Sequence, residues 1–481
     1  MASPTFLRFA SPNERRTISR EDVGFYNAVV IAAVYEVVNE SLDVTSPQSF
    51  FSPLKQCILA HPFLSVVVQN KDTEKPSYGS VSSVNLEDHI SIDRDQEIDR
   101  DGERTTFEKA LPPILDRPWP ADLPPWRIVV LPLASCPESS AKRCLIAFAF
   151  SHTLGDGMVG ITFHRTFLEA WKNASDAVKK VSRWVVPTKR VLPEPFDTPE
   201  RLPISWSFLL APLLAVYLPK RLALWMGLRA AVSTVDDGTW TGPPIFSETK
   251  ATQNSRVRLL EIEAPLVEKA LQTSRRHGAK LTSTLHQLIV RALSKAIPSP
   301  EVTNFVSGTA VDMRGSIGVP PYTWGLYVSG HYDVHPRVDL QERTVVSDEM
   351  WTKAGAMTRG LAECSARLQD QAIGLLRYVP SIRDWTLGKV GHARDCSYEL
   401  SNLLAFDGTG SPECRISKMV FSQPGNVPSA PLVFNLISVK GASLTCAISW
   451  QTGALGMPVE KENSLVDVIE LSLQTDLEAL E

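Results

Sequence analysis

Excess positive charge is the first thing this sequence lacks. Lys and Arg total 49 against 53 Asp and Glu, for a net charge of -4 at pH 7, so the chain has no cationic footprint for nucleic acid. Long apolar runs are missing too. The longest nearly unbroken one, Phe208 to Leu218, has Pro212 inside it and is far short of the roughly 20 residues that cross a bilayer. Met1 to Thr17 is broken by Pro4, Pro12 and charges, so no secretory leader is expected. The Asn-x-Ser matches at Asn39 and Asn173 then read as chance. Cysteine is sparse: seven residues, at 57, 136, 144, 364, 396, 414 and 446, odd in number and without Cys-x-x-Cys spacing. That pattern suits reduced thiols in the cytoplasm. Cys144 and Cys446 lie in apolar runs, where a structural role outweighs a nucleophilic one. There is no fixed-period repeat, no low-complexity tract and no Gly-x-Ser-x-Gly elbow to present a serine nucleophile.

What is present suits a globular enzyme. With 481 residues, 43% hydrophobic and 21% charged, the chain can bury substantial cores and is expected to form two domains. Punctuation divides it. Residues 1–180 hold a first set of strands and helices. Pro187, Pro193, Pro195, Pro199 and Pro203 break regular structure and mark a connector over 181–249. A second set fills 250–481, beginning with a strand over Val257 to Glu263 and a helix over Thr282 to Ile297. Trp351 to Tyr378 reads as helix, and Leu432 to Val439 and Ser443 to Trp450 as strands around Lys440-Gly441-Ala442. Within the connector, residues 204–233 combine an apolar run with Lys220, Arg221 and Trp225. This stretch either packs on the protein's own surface or lies in a membrane interface or over a substrate entrance.

The most informative segment is His152-Thr-Leu-Gly-Asp156-Gly157. Ahead of it, Cys144 to Phe150 reads as a strand buried on both faces. Behind it, Met158, Val159, Ile161, Phe163, Phe167, Leu168 and Trp171 recur at helical spacing. His152 therefore ends a strand, and Asp156-Gly157 opens a helix. A neutral imidazole there can accept a proton from a hydroxyl, and the helix start at Gly157 offers backbone donors to a developing oxyanion. The same residues also admit a plainer account in which Asp156 caps the helix, Gly157 permits the turn and His152 is structural. A metal site is not expected, since His152 and Asp156 would supply only two ligands.

His-x-x-x-Asp-Gly between an aliphatic strand and an amphipathic helix resembles the signature of the CoA-dependent acyltransferase superfamily, which includes plant BAHD acyltransferases, peptide-synthetase condensation domains and fungal alcohol acetyltransferases. Further matches run in order along nearly the whole chain: Ala60-His61-Pro62-Phe63-Leu64, Pro125-Trp126-Arg127-Ile128, Lys280 to Leu285, Val311-Asp312-Met313-Arg314, and Pro321-Tyr322-Thr323-Trp324-Gly325. The departures narrow the subfamily. No Asp-Phe-Gly-Trp-Gly motif is present, and Tyr398 to Leu403 at that place resembles the Ser-Asn segment of fungal alcohol acetyltransferases. Ser151 stands where many condensation domains have a second His, and there is no Asp-Ser carrier attachment motif. The opening from Arg16 through Tyr26-Asn27, read as leading into an apolar helix through Tyr35, is also similar to the fungal group.

The resemblance implies an α/β (α+β) architecture of two similar chloramphenicol-acetyltransferase-like domains in a V, with mixed sheets, flanking helices and an active-site tunnel between them. It implies O-acylation, and O-acetylation above all, of a small-molecule alcohol or secondary metabolite by an acyl-CoA donor, without a metal. His152 would be the general base, and no covalent acyl-enzyme is needed. Asp156 would orient the loop by pairing with Arg314. Ser401 and Asn402 match a segment near the tunnel, although a strand-to-loop turn explains them equally. Tyr322 and Trp324 are candidates for the acceptor pocket, with core packing as the alternative. His164 and His286, inside helices, read as core or surface residues. A carrier-protein-dependent condensation-type enzyme, an N-acyltransferase and a non-catalytic binding protein remain alternatives. The expected partners are the acceptor alcohol and acetyl-CoA or another acyl-CoA, with no nucleic acid. The chain is expected to be a cytoplasmic monomer with at most weak peripheral contact with endomembranes.

Overall fold

The structure is a computed structural model describing residues 3–39, 42–93, 102–135, 141–172, 182–188, 191–219, 222, 235–247, 255–340, 344–408 and 413–480. Asn173, Cys136, Lys220, Arg221, Trp225 and the positions on either side of both expected domain boundaries lie outside these residues. In chain order, helix α1 (Pro12–Asp22) leads to strand β1 (Val29–Val37), helix α2 (Phe51–Ala60), strand β2 (Ile90–Ile92), helix α3 (Glu103–Asp116) and strands β3 (Trp126–Leu133) and β4 (Lys142–Phe150). Helices α4 (Gly157–Lys172) and α5 (Trp206–Tyr217) follow, then β5 (Ser255–Ile262), α6 (Ala264–Arg276), α7 (Leu281–Ala296), β6 (Asn304–Asp312), β7 (Val328–Pro336) and α8 (Asp348–Ala366). The chain closes with β8 (Tyr398–Phe406), β9 (Cys414–Ser422), β10 (Leu432–Val439), β11 (Leu444–Gln451) and α9 (Val459–Glu478).

Two mixed sheets organise the molecule. The first runs β9-β1-β4-β3-β2 and the second β5-β11-β10-β8-β6-β7. Parallel pairs (β2 with β3, β6 with β8, β8 with β10) sit beside antiparallel ones. Sheet membership does not follow position in the chain. Strand β9, from the second half, leaves its own sheet and pairs antiparallel with β1, Phe421 opposite Ile31. The two halves are thereby joined through a hydrogen-bonded ladder as well as through side chains.

Strand β4 shows why the sequence reads as it does. Cys144, Ile146, Phe148 and Phe150 enter one core, with α2 and α4, while Leu145, Ala147 and Ala149 enter another, with α3. Both faces are covered, so the run is continuously apolar. Strand β1 behaves identically and corrects an expectation. The stretch through Tyr35 is a strand, not an apolar helix: Ile31, Ala33 and Tyr35 point into one core, and Val30, Ala32 and Val34 into the other. A run apolar at every position carries no period to separate helix from strand, and its Val and Ile favour the latter. The helix expected over Trp351 to Tyr378 is likewise broken. It ends at Ala366, where the Gln371 side-chain amide donates to the carbonyls of Cys364 and Arg367, and a separate 3-10 turn follows over Ala372–Tyr378.

Helix α4 lies on the first sheet, with Phe163 stacked on Phe148 at 3.8 Å between ring centroids and an interplanar angle of 4°. His164 is buried and satisfied, its Nδ1 against the Tyr35 hydroxyl at 2.9 Å and its Nε2 against the Ile31 carbonyl at 2.8 Å. The close approach of helix to sheet depends on Gly160, where a Cβ would stand 2.0 Å from Ile31 Cγ1. In an exposed helix, Gly→Ala gains about 0.5–1 kcal/mol. Here overpacking of about 1–3 kcal/mol should win. Gly160→Ala is therefore expected to lower the melting temperature, and thermal unfolding followed by circular dichroism that showed an unchanged or higher value would contradict this packing.

Candidate active site

The hexapeptide closes on itself at the junction of β4 and α4. Ser151 caps a 3-10 turn over His152–Leu154, its hydroxyl accepting from the Thr153 N–H at 3.1 Å and donating to the Glu21 carboxylate of α1. Gly155 follows with φ 148°, where a Cβ would lie 2.4 Å from Val159 Cγ2 and 2.8 Å from the Gly325 carbonyl oxygen. Only glycine tolerates both the angle and the approach. The turn brings the Gly155 carbonyl to 2.8 Å from His152 Nδ1. A carbonyl can only accept, so Nδ1 carries the proton and Nε2 is left with its lone pair. Among the described residues Nε2 has no hydrogen-bond partner. Burial first, then the charges of Arg16 and Arg20, hold the imidazole at about 4, against the opposing pull of the Gly155 carbonyl. At neutral pH His152 is uncharged, with a free acceptor nitrogen.

Asp156 faces away from that nitrogen into the second half of the chain. Its Oδ1 accepts from Arg314 Nη2 at 2.9 Å and from the Met158 N–H at 3.0 Å, and its Oδ2 from the Tyr327 N–H at 2.8 Å. Asp156 thus both caps α4 and forms an ion pair. Both side chains are almost fully buried, at 2% and 1% exposure. Burial by itself would lower the Arg314 pKa, but the carboxylates of Asp156 and Asp312 outweigh it and raise it. Arg314 also donates to the carbonyls of Thr323 and Gly325. The segment carrying those carbonyls clamps the hexapeptide: the Asp156 N–H donates to the Gly325 carbonyl, and Trp324 Nε1 to that of Leu154.

The other expected residues fall at graded distances from this centre. Gly157 opens α4 against Leu403 of β8, whose Cδ2 would meet a Cβ there at 2.8 Å. Ser401 and Asn402 lie in β8 just before its bulge. Asn402 holds the bulge, accepting from the Leu404 N–H and donating to Thr282, and no contact joins either residue to His152. Trp324 is buried in the first core, its ring 4.6 Å from that of His61. Tyr322 is partly exposed beneath the guanidinium of Arg165. His286 is buried between the Tyr398 hydroxyl and Thr309. Among the described residues no three metal-ligating side chains converge.

The fold adds residues with no local motif. Tyr26 lays its ring 5.4 Å from that of His152 and donates its hydroxyl to Gln423 at 2.6 Å. It also lines a small, partly open pocket shared with Asp116 and Ser255. Arg16, Arg20 and Glu21 of α1 reach the same place, and Glu399 of β8 acts electrostatically on Tyr26 from the second half. The sequence marked the stretch from Arg16 through Tyr26 only by its similarity to the fungal group, with no sign that these side chains meet His152, and the i, i+4 spacing of the two arginines describes any solvated helix face.

Comparison with known proteins follows this geometry. Residues 64–471 match the family model described as alcohol acetyltransferase. The chain is 23% identical over 470 residues to the probable alcohol acetyltransferase FCK4 of Fusarium pseudograminearum, covering 94% of this chain and 92% of that one. Among solved structures it is similar to the trichothecene 15-O-acetyltransferase TRI3 of Fusarium sporotrichioides, with a TM-score of 0.64, 12% identity and coverage of 99% and 98%. It is also similar to the condensation domain of the Monacolin K polyketide synthase MokA, with a TM-score of 0.59, 11% identity and coverage of 100% and 99%. These likenesses identify the fold as the two-domain chloramphenicol-acetyltransferase-like one.

The Asp156–Arg314 pair makes the clearest energetic test. Removing one partner of a buried ion pair typically costs about 3–5 kcal/mol. Asp156→Asn and Arg314→Ala should each destabilise the protein strongly, and the double variant should lose less than the sum by about 0.5–3 kcal/mol. Strict additivity in denaturant unfolding would show that the two side chains do not act together.

Proposed function

The chain belongs to the alcohol acetyltransferase family, and from that premise we propose that it esterifies the hydroxyl of a small-molecule alcohol with the acetyl group of acetyl-CoA, His152 serving as general base. The observation that carries this reading is the committed Nδ1 and free Nε2 of a neutral His152. In the proposed reaction, Nε2 takes the hydroxyl proton as the oxygen attacks the thioester carbonyl. The tetrahedral oxyanion then collapses, the carbon–sulfur bond breaks, and the thiolate leaves as CoA, taking the proton back from His152. Nothing in this sequence of steps needs a covalent acyl-enzyme.

Each neighbouring residue has a part in that proposal. The Gly157 N–H, at the start of α4, is the candidate donor to the oxyanion, a contribution of about 3 kcal/mol where such donors have been removed in other enzymes. Asp156 and Arg314 are positioning residues: they hold the turn that fixes His152 and touch no reacting atom. Tyr26 packs on the imidazole and restricts its rotation.

No helix among the described residues is long and apolar enough to cross a membrane. Helix α5 nonetheless leaves Trp206, Leu210 and Leu214 exposed. We assign it a weak, reversible contact with lipid surfaces. Alkaline carbonate washing of a membrane fraction should release the protein, and retention after that wash would contradict a peripheral contact.

His152→Ala is expected to lower kcat about 10²- to 10⁴-fold with the melting temperature preserved. Retention of most activity in a folded variant would overturn the assignment. The pH profile provides an independent check. The base works only when neutral, so kcat/KM should be level near neutrality and fall as pH drops through the His152 pKa of about 4. An acid limb centred near the usual 6.5 would mean that the working base is a more exposed group.

A further inference from the structure

Helix α1 carries six charged side chains, and four of them are paired. Glu14 meets Arg8 at 2.7 Å, Arg15 meets Glu74, Glu21 meets Lys71, and Asp22 meets Arg383 at 2.9 Å. The remaining two are Arg16 and Arg20, one helical turn apart, and among the described residues neither has a carboxylate at ion-pair distance. Arg16 donates only to Asn13 Oδ1, at 3.2 Å. Arg20 Nε is buried with no hydrogen-bond partner. The helix is anchored to the active site on both sides of this pair. Glu21 accepts from Ser151, the residue before His152, and the Arg20 carbonyl accepts from the N–H of Tyr26, whose ring lies against His152. Two acidic groups act on Arg16 from other elements, and both are engaged elsewhere. Glu399 accepts from Asn426 at 2.9 Å and from Ser429, while Asp197 accepts from the Asn13 N–H at 2.8 Å through Oδ2, its Oδ1 being buried without a hydrogen-bond partner among the described residues and not at ion-pair distance from Arg16.

Two guanidinium groups held partly out of water without a counter-charge carry a desolvation cost that a bound anion would offset. We propose that Arg16 and Arg20 bind a carboxylate carried by the acceptor beside His152, so that the alcohol acetylated here is a hydroxy acid. The proposal names the substrate class for the acetyl-transfer reading and rests on it. The phosphates of acetyl-CoA are a poor fit, because the whole pantetheine arm separates them from the thioester that must reach His152. A pair of guanidinium forks matches a carboxylate, which can take two donors at each oxygen. Binding has a chemical consequence. Neutralising the two cations removes a charge effect that now opposes protonation of His152, so the acceptor's own carboxylate makes the base stronger when it arrives.

The experiment compares two molecules of nearly the same shape, one an anionic acceptor and the other a neutral amide. Calorimetric titration of the full chain with 4-hydroxybenzoate and with 4-hydroxybenzamide should show the acid bound about tenfold more tightly or better, and Arg20→Gln or Arg16→Gln should shrink that ratio towards one. Equal binding of acid and amide by the wild type, or a ratio that survives in both folded variants, would overturn the proposal. Because titration requires no turnover, this result is separable from the fate of His152→Ala: transfer activity can fail while the carboxylate preference stands, and the reverse. A second arm addresses the donor. If Arg20→Gln raises KM for acetyl-CoA but leaves KM for acetyl-pantetheine unchanged, the pair holds the donor's phosphates and the acceptor assignment falls. If both donors keep their KM while the acid-to-amide ratio collapses, the acceptor assignment stands.

Discussion

The buried ion pair between Asp156 and Arg314 is the constraint on which the rest of the site depends. Neither charge could remain in so dry a place alone, and each belongs to a different half of the chain. The pair is surrounded by backbone groups that only this arrangement satisfies: the N–H of Met158, Asp156 and Tyr327, and the carbonyls of Thr323 and Gly325. Separating the halves would leave a charge and several backbone groups unpaired at once. The pair and its hydrogen bonds therefore fix how the halves meet, alongside the β9–β1 ladder and the apolar cores that both halves share.

His152 inherits its state from that docking. The turn that sends Asp156 towards Arg314 sends the Gly155 carbonyl back towards Nδ1, and this fixes the tautomer. One short loop thus performs two tasks with opposite demands. On its outer side it must bury a charge and satisfy it fully; on its inner side it must keep a nitrogen lone pair unsatisfied. Glycine at 155, with φ 148° and the Gly325 carbonyl close by, is where the two requirements meet.

The first half supplies a further asymmetry. Arg16 and Arg20 of α1 bring positive charge to Tyr26 and the His152 turn, while Glu399 acts on Arg16 and Tyr26 from the second half. An imidazole in such surroundings stays neutral at pH 7; in the proposed reaction its strength as a base would respond to the charge that the substrate brings.

Much of this was legible before the fold was known. The hexapeptide at 152–157 announces a strand end followed by a helix start because β4 is apolar on both faces and α4 on one, and those periodicities survive in the sequence as local patterns. The family resemblance named Arg314 as the partner of Asp156 and marked Trp324, though not the Leu154 carbonyl to which the Trp324 indole donates. What the sequence could not carry were facts that depend on distant residues meeting. Strand β1 reads as helix because continuous burial erases its alternation. Strand β9 joins the other sheet because a free edge beside Val29–Val37 is available in space and not in sequence. Arg16 and Arg20 look like an ordinary solvated helix face until the ion pairs of their neighbours are seen and these two are left over. Covalent neighbours set the chemistry of single residues in this protein, and a turn of four residues fixes which nitrogen of His152 is free; how that turn is held, which charge is paired and which is not were decided by contacts across more than a hundred residues, such as Ser151 with Glu21 and Asp156 with Arg314, and only the folded chain makes them.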